Sequence, residues 1–292
     1  MSTASFSYGE AFARNLGWVT EAEQRQLQGK RIAIAGLGGV GGSHLLTLTR
    51  LGIGGFSIAD FDRFALANFN RQAGAGMASI DQPKIDVLAS MALDVNPELS
   101  LERFPLGVTE DGIDAFLSGA DLYVDGLDYF ALDIRRKVFA RCAQLGIPAV
   151  TAAPLGMGVA LLNFLPGSMS FEDYFQLEGL PPEEQAIRFL LGLSPRMLQV
   201  AYLVDRSRVD FANQRGPSTA MACQLCAGFA ATESLKILLK RGRVLKAPRG
   251  VHFDAYRYRL TRTWRPHGNA NPVQKLTLAI ARRQLRAINP PT

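Results

Sequence analysis

The chain has few cysteines and few histidines, and it begins without a targeting pattern. Its 292 residues include three cysteines and three histidines. Three cysteines are too few, and odd in number, for a disulfide framework. Residues 1–6 carry neither a basic flank nor an apolar run, so we expect no signal peptide and a cytoplasmic protein.

Long hydrophobic runs are also scarce. One uncharged stretch, residues 147–166, is long enough for a membrane span, but Pro148, Pro154 and Gly158 interrupt it. Two short buried strands joined by a turn explain this stretch better. We therefore predict no membrane-spanning segment.

Charge of either sign is modest. Lys plus Arg number 32 and Asp plus Glu number 26, which gives a net charge of +6, and 48% of the residues are hydrophobic. This balance excludes a disordered chain and indicates a folded globular protein. The positive excess suggests an anionic ligand or partner, and it does not require nucleic acid, which we do not expect as a partner.

Hydrophobic patterning alternates between strand and helix. Residues 31–35 form an apolar run, a helix pattern covers 43–51, and a second strand covers 56–60, which makes one βαβ unit. The alternation continues to residue 166, and residues 251–260 have the pattern of one antiparallel edge strand. The expected fold class is α/β and Rossmann-like, a mostly parallel sheet with helices on both faces plus antiparallel edge strands.

A glycine-rich turn joins the first strand to its helix. Gly36, Gly38 and Gly41 form G-x-G-x-x-G there, which allows a tight turn, while the helix N-terminus offers free N–H groups to a phosphate. Asp60 ends the second strand, where an acid can accept hydrogen bonds from a ribose hydroxyl. The turn alone is consistent with NAD, FAD or ATP as the ligand. It is also consistent with a turn that packs the helix on the strand and binds no ligand.

Several ordered motifs follow the second strand. They are D-F-D at 60–62, L-A-N-F-N-R-Q at 66–72, Q-P-K at 82–84 and D-G-L-D at 125–128. The series resembles the ThiF, MoeB and HesA family of ubiquitin-activating-enzyme-like adenylyltransferases over about residues 31–165, and weakly through the helix at 228–239. The resemblance implies an enzyme that uses ATP to activate the C-terminal carboxylate of a small ubiquitin-like or sulfur-carrier-like protein, or of a peptide.

The resemblance also implies the residues of the site. Those expected to line the nucleotide are Gly36, Gly38, Gly39, Gly41, Asp60, Asn68, Arg71, Gln72 and Lys84. Asp60 would hold the ribose, Asn68 and Arg71 would contact the phosphates, and Lys84 would hold the outer phosphates. Gln72 is the weaker candidate of this set.

The expected catalytic residues are those that neutralise phosphate charge, because a carboxylate nucleophile needs no general base. Arg71 and Lys84 belong to this group, and Asp128 would bind Mg²⁺ unless it only caps the next helix. Arg14 would reach the site of a second subunit, which implies a homodimer. Asp62 and Asp125 are interpreted as capping or supporting residues.

The cysteines depart from the family pattern. Many members hold a structural zinc with two C-x-x-C pairs, and this chain has only Cys223 and Cys226, so we expect no zinc. A helix N-terminus would lower the pKa of either thiol, which leaves an enzyme thioester open. Adenylation without a thioester is the prediction, against two alternatives on the same fold, a non-catalytic nucleotide-binding module and an NAD- or FAD-dependent oxidoreductase.

The length fits one large domain, within which five segments are predicted. They are a helical N-terminal segment (1–30), a nucleotide-binding adenylation core (31–166), a crossover region (167–222), a late helix and edge strand that complete the domain (223–268), and a basic C-terminal tail, either a peripheral helix or loose (269–292).

Overall fold

One sheet of eight strands runs through the part of the chain that the computed structural model describes, residues 5–210 and 213–288. The strands are β1 Arg31–Ala35, β2 Gly55–Ala59, β3 Ser100–Phe104, β4 Leu122–Asp125, β5 Ala149–Leu155, β6 Gly158–Phe164, β7 Arg249–Asp254 and β8 Arg259–Trp264. Their order across the sheet is β3-β2-β1-β4-β5-β6-β7-β8.

Helices cover both faces of this sheet. They are α1 Tyr8–Ala11, α2 Glu21–Gln28, α3 Gly41–Arg50, α4 Lys84–Val95, α5 Ile113–Leu117, α6 Leu132–Leu145, α7 Phe171–Phe175, α8 Pro182–Leu193, α9 Ala220–Leu238 and α10 Pro272–Ile288. Side chains alternate along a strand, so Ile32 and Ile34 pack with α3, α4 and α9, whereas Ala33 and Ala35 pack with α5, α6 and α8.

The strand pairing confirms the predicted fold class. Strands β3, β2, β1, β4 and β5 are parallel to one another, and β6, β7 and β8 continue the sheet from β5 in antiparallel pairs. The uncharged stretch 147–166 forms the β5–β6 hairpin, as predicted. None of the described helices is long and apolar enough to cross a bilayer.

The prediction of one edge strand over residues 251–260 is wrong. The chain reverses within that range, so β7 and β8 form an antiparallel hairpin. The Asp254 carboxylate accepts a hydrogen bond from the Arg257 backbone N–H at 2.9 Å, and Tyr258 adopts a φ of 50°. Such local side-chain bonding and a left-handed residue make a turn that strand periodicity does not show.

The segment from residue 269 onward contains a packed helix. Leu278 of α10 is buried against Ile187 and Leu191 of α8. Of the two forms that the sequence left open for this segment, the helix is therefore the one formed up to Ile288, and residues 289–292 lie outside the described ranges.

The order of the strands places one crevice at the carboxyl edge of the parallel strands. The chain passes from β3, on one side of β1, to β4 on the other side. Loops after β1 and β4 therefore diverge, and a crevice for ligands opens between them. The glycine turn follows β1 and the D-G-L-D sequence begins in β4, so both motifs lie at this crevice.

His44 is a buried titratable group behind this crevice. It lies in α3 with no exposed surface, and neither ring nitrogen has a hydrogen-bond partner among the described residues. Burial lowers the pKa of His44 from its usual 6.5 to about 4, and the charge of Asp125 opposes part of that shift. The folded protein therefore keeps this imidazole neutral at pH values where the unfolded chain protonates it.

Acid is expected to weaken the fold through His44. Its folded pKa lies below its unfolded pKa, so its contribution to stability is lost as pH falls from about 6.5 to about 4. Between pH 7 and pH 5 the expected loss that arises from His44 is about 2 kcal/mol of unfolding free energy. Urea unfolding at both pH values measures it, and His44→Leu should lose about 2 kcal/mol less than the natural protein over that interval. The same loss in both proteins would contradict this explanation.

Candidate functional site

Two glycines of the turn are required for packing. A Cβ atom on Gly36, which has a φ of 79°, would lie 2.4 Å from the Gly126 carbonyl oxygen after β4. A Cβ atom on Gly41 would lie 1.8 Å from the Gly36 carbonyl oxygen. Both distances are far inside van der Waals contact, so only glycine allows β1, β4 and α3 to meet this closely.

Gly38 is different, because its backbone is open on one side. Chain neighbours aside, a Cβ atom there would meet one heavy atom within 4 Å among the described residues, the side-chain nitrogen of Gln72 at 3.7 Å. The turn thus forms a cradle at Gly38, next to the N-terminus of α3. Backbone N–H groups in such a cradle suit an anionic group.

Gln72 lines this cradle and has an unsatisfied atom. The side chain is buried, and its Oε1 atom has no hydrogen-bond partner among the described residues. An unsatisfied buried acceptor costs about 1–3 kcal/mol. A hydroxyl of a ligand or a water molecule that donates to Oε1 would remove that cost, so Gln72 fits a contact with a bound nucleotide better than its weak signal in the sequence indicated.

Asp60 connects the end of β2 to the glycine turn. Its Oδ2 atom accepts a hydrogen bond from the Leu37 backbone N–H at 2.6 Å, and its Oδ1 atom accepts one from the Asp62 N–H at 2.7 Å. Burial raises the pKa of Asp60, and these two hydrogen bonds oppose the rise. Each carboxylate oxygen can accept a further hydrogen bond, so holding the turn does not exclude the predicted ribose contact.

Lys84 lies at the start of α4 and is paired with an acid. Its Nζ atom is 2.9 Å from Asp62 Oδ2, and the Lys84 side chain is only 6% exposed, against 54% for Asp62. Asp62 was interpreted from the sequence as a capping or supporting residue, and its role as partner of Lys84 was missed. The sequence shows the second acid of D-F-D, but its spacing from Q-P-K does not show that the side chains of Asp62 and Lys84 meet.

Arg71 packs along the glycine turn. Its Cγ and Cδ atoms are 3.7 Å from the position that a Cβ atom on Gly39 would take. Its Nη1 atom donates to the Ala67 carbonyl at 3.0 Å and to Asn70 Oδ1 at 2.9 Å. The structure therefore brings Arg71 and Gly39 together, as the predicted site requires.

Asn68 has a local role in the structure. Its Oδ1 atom accepts a hydrogen bond from the Ala65 backbone N–H at 2.9 Å, which caps the short 3₁₀ helix Leu66–Asn68. This helix sets the direction in which the chain reaches Arg71. The predicted phosphate contact of Asn68 would use its amide nitrogen, since the oxygen is engaged.

Asp128 lies exposed on the loop between β4 and α6. Its Oδ1 atom accepts a hydrogen bond from the Phe130 backbone N–H at 3.0 Å. The helix cap that the sequence left open beside the magnesium role is not formed, because α6 has Ala131 at its N-cap and no side-chain cap. This hydrogen bond instead closes a local turn before the helix. It occupies one of the two carboxylate oxygens.

Mg²⁺ fits a site of this kind without a cluster of ligands. Among the described residues, no three His, Cys, Asp or Glu side chains converge to hold a metal ion. At nucleotide sites, however, Mg²⁺ is usually bound by one or two carboxylates together with phosphates and water. A single exposed carboxylate such as that of Asp128 meets this requirement.

A buried ion pair supports the loop that carries Asp128. Arg135 Nε lies 2.9 Å from Asp125 Oδ2, and both side chains are almost fully buried. Arg135 also donates to the carbonyls of Leu127 at 2.7 Å and Tyr129 at 3.3 Å, on either side of Asp128. The sequence indicated a supporting role for Asp125 and missed Arg135, because one arginine in an amphipathic helix carries no sign of its burial.

Arg14 lies far from the glycine turn of its own chain. It is exposed in the 3₁₀ helix Ala13–Asn15, and Asn15 donates to the Leu51 carbonyl at 3.2 Å, at the C-terminal end of α3. The turn is at the other end of α3, a helix of 10 residues and so about 15 Å long. The delivery of Arg14 to a second subunit stays a prediction.

The two cysteines of C-x-x-C are buried at the start of α9. Burial raises the pKa of both thiols, most strongly that of Cys226. The expectation that the helix N-terminus would lower these pKa values is wrong, because desolvation of the thiolate outweighs the helix dipole. Buried thiols of raised pKa are poor nucleophiles, so neither suits a thioester. The Cys223 sulfur instead packs at Gly39, 3.1 Å from the Cβ position.

The fold and these residues define a class of protein. It is a Rossmann-like α/β protein whose glycine turn is open to a ligand at the switch point of the sheet, with a buried acid after β2. Within that class, the chain belongs to the ThiF family, whose sequence profile matches residues 12–275. The predicted resemblance is thereby confirmed, and it extends beyond residues 31–165 at both ends.

Known proteins of two activities are similar to this chain. It is 31% identical over 143 residues to the sulfur carrier protein ThiS adenylyltransferase of Escherichia coli, covering 49% of this chain and 56% of that one. It is 28% identical over 142 residues to the tRNA threonylcarbamoyladenosine dehydratase of Bacillus subtilis, covering 48% and 55%. The matched region thus spans slightly more than half the length of these relatives.

A solved structure shares the fold. The crystal structure of E. coli MccB with ATP matches with a TM-score of 0.64 at 18% identity, covering 87% of this chain and 69% of that one. At this identity the likeness shows the fold alone.

Proposed function

We propose that this protein is an ATP-dependent adenylyltransferase that activates a carboxylate as an acyl-adenylate. The observation that carries the proposal is the open cradle at Gly38, with Arg71 packed beside it. Lys84 adds a second, buried cation, close enough to oppose part of the rise that burial causes in the pKa of Asp60. Two cations and free helix N–H groups at one glycine turn suit a triphosphate.

The proposed roles follow the positions of the residues. Those that would line the nucleotide are Gly36, Gly38, Gly39, Gly41, Asp60, Asn68, Arg71, Gln72 and Lys84. Asp60 would bind the ribose hydroxyls, while Arg71 and Lys84 would neutralise the phosphates. Lys84 would exchange its contact with Asp62 for a phosphate oxygen, which is feasible because Asp62 is exposed and can return to water.

The proposed reaction needs no general base. An oxygen of the substrate carboxylate attacks the α-phosphorus of ATP, and the bond from that phosphorus to the bridging oxygen of the leaving pyrophosphate breaks. The protein's part is to hold the two anions in line and to offset their repulsion. Mg²⁺, held by Asp128, would supply further neutralisation of the phosphates when bound.

We further propose that the carboxylate is the C-terminus of a small ubiquitin-like or sulfur-carrier-like protein, or of a peptide, in the cytoplasm. The relative named for the carrier protein ThiS supports this substrate class. A homodimer is part of the proposal, with Arg14 of one subunit reaching the phosphates in the other. Its support is that Arg14 is exposed and lies away from the turn of its own chain.

Nucleotide binding tests the class of activity. Titration calorimetry with MgATP and, separately, with NAD⁺ and FAD should show binding of MgATP only, weakened when Mg²⁺ is chelated, because Mg²⁺ offsets phosphate charge. Binding of NAD⁺ or FAD without ATP would replace the proposal with the oxidoreductase alternative. ATP binding without any exchange activity would favour a non-catalytic module.

Pyrophosphate exchange tests the substrate. Labelled pyrophosphate should enter ATP only when MgATP and a cognate carboxylate are both present, and the first candidate is a small ubiquitin-like protein ending in Gly-Gly whose gene neighbours this one. A bulk tRNA preparation is the comparison, since one relative is named for a tRNA reaction. Exchange supported by tRNA and not by the carrier would overturn the substrate class while keeping ATP use.

A further inference from the structure

Asn70 has no assigned role, yet its side chain joins two distant parts of the chain. Its Nδ2 atom donates to the Ser218 carbonyl oxygen at 2.9 Å, across 148 positions in the sequence. Its Oδ1 atom accepts from Arg71 Nη1 at 2.9 Å. A guanidinium only donates and a carbonyl only accepts, so these partners fix the orientation of the amide.

The contacts of Asn70 belong to a closed ring around Gly39. The Cys223 backbone N–H, in the first turn of α9, donates to the carbonyl of Thr219, the residue after Ser218, at 3.3 Å. The Cys223 sulfur lies 3.1 Å from the Cβ position of Gly39, and the Arg71 methylenes lie 3.7 Å from the same point. The glycine turn, Arg71 and the entry to α9 are therefore held together, and Asn70 is the member that bonds to two of them.

The same entry to α9 is fixed on its other side. The Thr219 hydroxyl donates to the Gly156 carbonyl at 2.9 Å, in the turn between β5 and β6. Residues 213–219, the described end of the crossover region, thus have one anchor at the β5–β6 turn and one at Asn70. Loss of the Asn70 anchor would free this segment on the side of the glycine turn.

Asn70 also decides which donors Arg71 can offer. Nη1 is occupied by Ala67 and Asn70, while Nε and Nη2 have no hydrogen-bond partner among the described residues. With one corner of the planar guanidinium fixed, its other edge is available for a bidentate contact with a phosphate.

We propose that Asn70 is a positioning residue that orients Arg71 for the nucleotide and fastens residues 213–219 to the glycine turn. The inference rests on the proposed function for the part that concerns the phosphate, and on contacts within the chain for the part that concerns the segment. One amide therefore links the phosphate-binding arginine to the crossover region.

Two substitutions separate the donor and acceptor functions of the amide. Asn70→Ala removes both bonds, whereas Asn70→Asp keeps an acceptor for Arg71 but replaces the donor with an oxygen that repels the Ser218 carbonyl. Because a neutral hydrogen bond contributes about 0.5–1.5 kcal/mol, both variants should speed hydrogen exchange of residues 213–222 by roughly 2- to 10-fold. MgATP should bind a few-fold more weakly to Asn70→Ala and at least about tenfold more weakly to Asn70→Asp, where a carboxylate competes for Arg71.

Gln144→Ala is the matched control. Gln144 is also an exposed amide that accepts a hydrogen bond from an arginine, Arg141 Nη1 at 3.0 Å, but its side chain bonds to no second segment within residues 5–210 and 213–288. Neither exchange of residues 213–222 nor MgATP affinity should change in this variant.

Each result decides the inference. Unchanged exchange in both Asn70 variants would overturn the anchoring role, and equal MgATP affinity in the two variants would overturn the orientation of Arg71. If the natural protein bound no MgATP, the proposed function would fail, and so would the proposed orientation of Arg71 for the nucleotide. The hydrogen-exchange measurement needs no nucleotide and would still decide the anchoring role.

Discussion

Replacing Arg71 with alanine is expected to weaken MgATP binding by about 10- to 100-fold while the protein stays folded. A hydrogen bond to a charged group contributes about 1.5–3 kcal/mol, and each 1.4 kcal/mol is a factor of ten in affinity. The fold should tolerate the change, because among the residues that the structure describes the guanidinium donates only to the Ala67 carbonyl and to the side chain of Asn70. Titration calorimetry measures the affinity, and circular dichroism with urea unfolding checks the fold.

Two further variants make this experiment specific. Arg63→Ala removes an exposed arginine from the same loop, one whose Nη1 donates to the Asp81 carbonyl at 2.5 Å, and it should bind MgATP normally. Arg71→Lys keeps the charge but loses the planar pair of donors, so its affinity should fall between those of the natural protein and Arg71→Ala. Full affinity in Arg71→Ala would show that Arg71 is not a phosphate contact.

The glycine turn and its surroundings were predictable because their causes are local. An apolar run at 32–35, glycines at fixed spacing and an amphipathic helix specify the β1–turn–α3 unit, and the structure forms it with Gly36 at a positive φ. The position of Asp60 was predictable for the same reason, since its place at the end of β2 follows from the length of the strand. At these positions the local sequence pattern and the packing of the folded chain call for the same residues.

The partners of the charged residues were not predictable. Lys84 meets Asp62 across 22 positions, and Asp125 meets Arg135 from a strand to a helix. These pairs depend on how α4 and α6 sit against the sheet, which periodicity does not specify. The burial of the cysteines was not predictable either, because the sequence places Cys223 at a helix start but does not show how much protein surrounds the thiol.

The reversal between β7 and β8 was missed for another physical reason. The turn uses Tyr258 at a φ of 50° and a hydrogen bond from the Arg257 backbone N–H to Asp254, and it contains neither glycine nor proline. Tyr256 and Tyr258, which are of a type enriched in strands, alternate with arginines through the turn, so the alternation of side chains does not mark it.

Removing Asp125 should destabilise the protein more than any exposed ion pair could. Asp125 and Arg135 are 2% and 3% exposed as side chains, and Asp125 also accepts a hydrogen bond from the Thr151 hydroxyl at 2.9 Å. Asp125→Ala would leave the Arg135 charge buried without a counter-ion, at a cost of about 3–5 kcal/mol in unfolding free energy. Urea unfolding measures that cost.

The exposed pair Arg141–Asp114 provides the control for this prediction. Its Nε–Oδ1 distance of 2.5 Å is shorter than that of the buried pair, yet the side chains are 36% and 67% exposed. Asp114→Ala should therefore cost far less unfolding free energy than Asp125→Ala, because water replaces the lost carboxylate. Similar losses from Asp125→Ala and Asp114→Ala would show that burial is not the source of the effect. If burial is the source, then this buried ion pair also holds the loop that carries Asp128, since Arg135 bonds the carbonyls on either side of that residue.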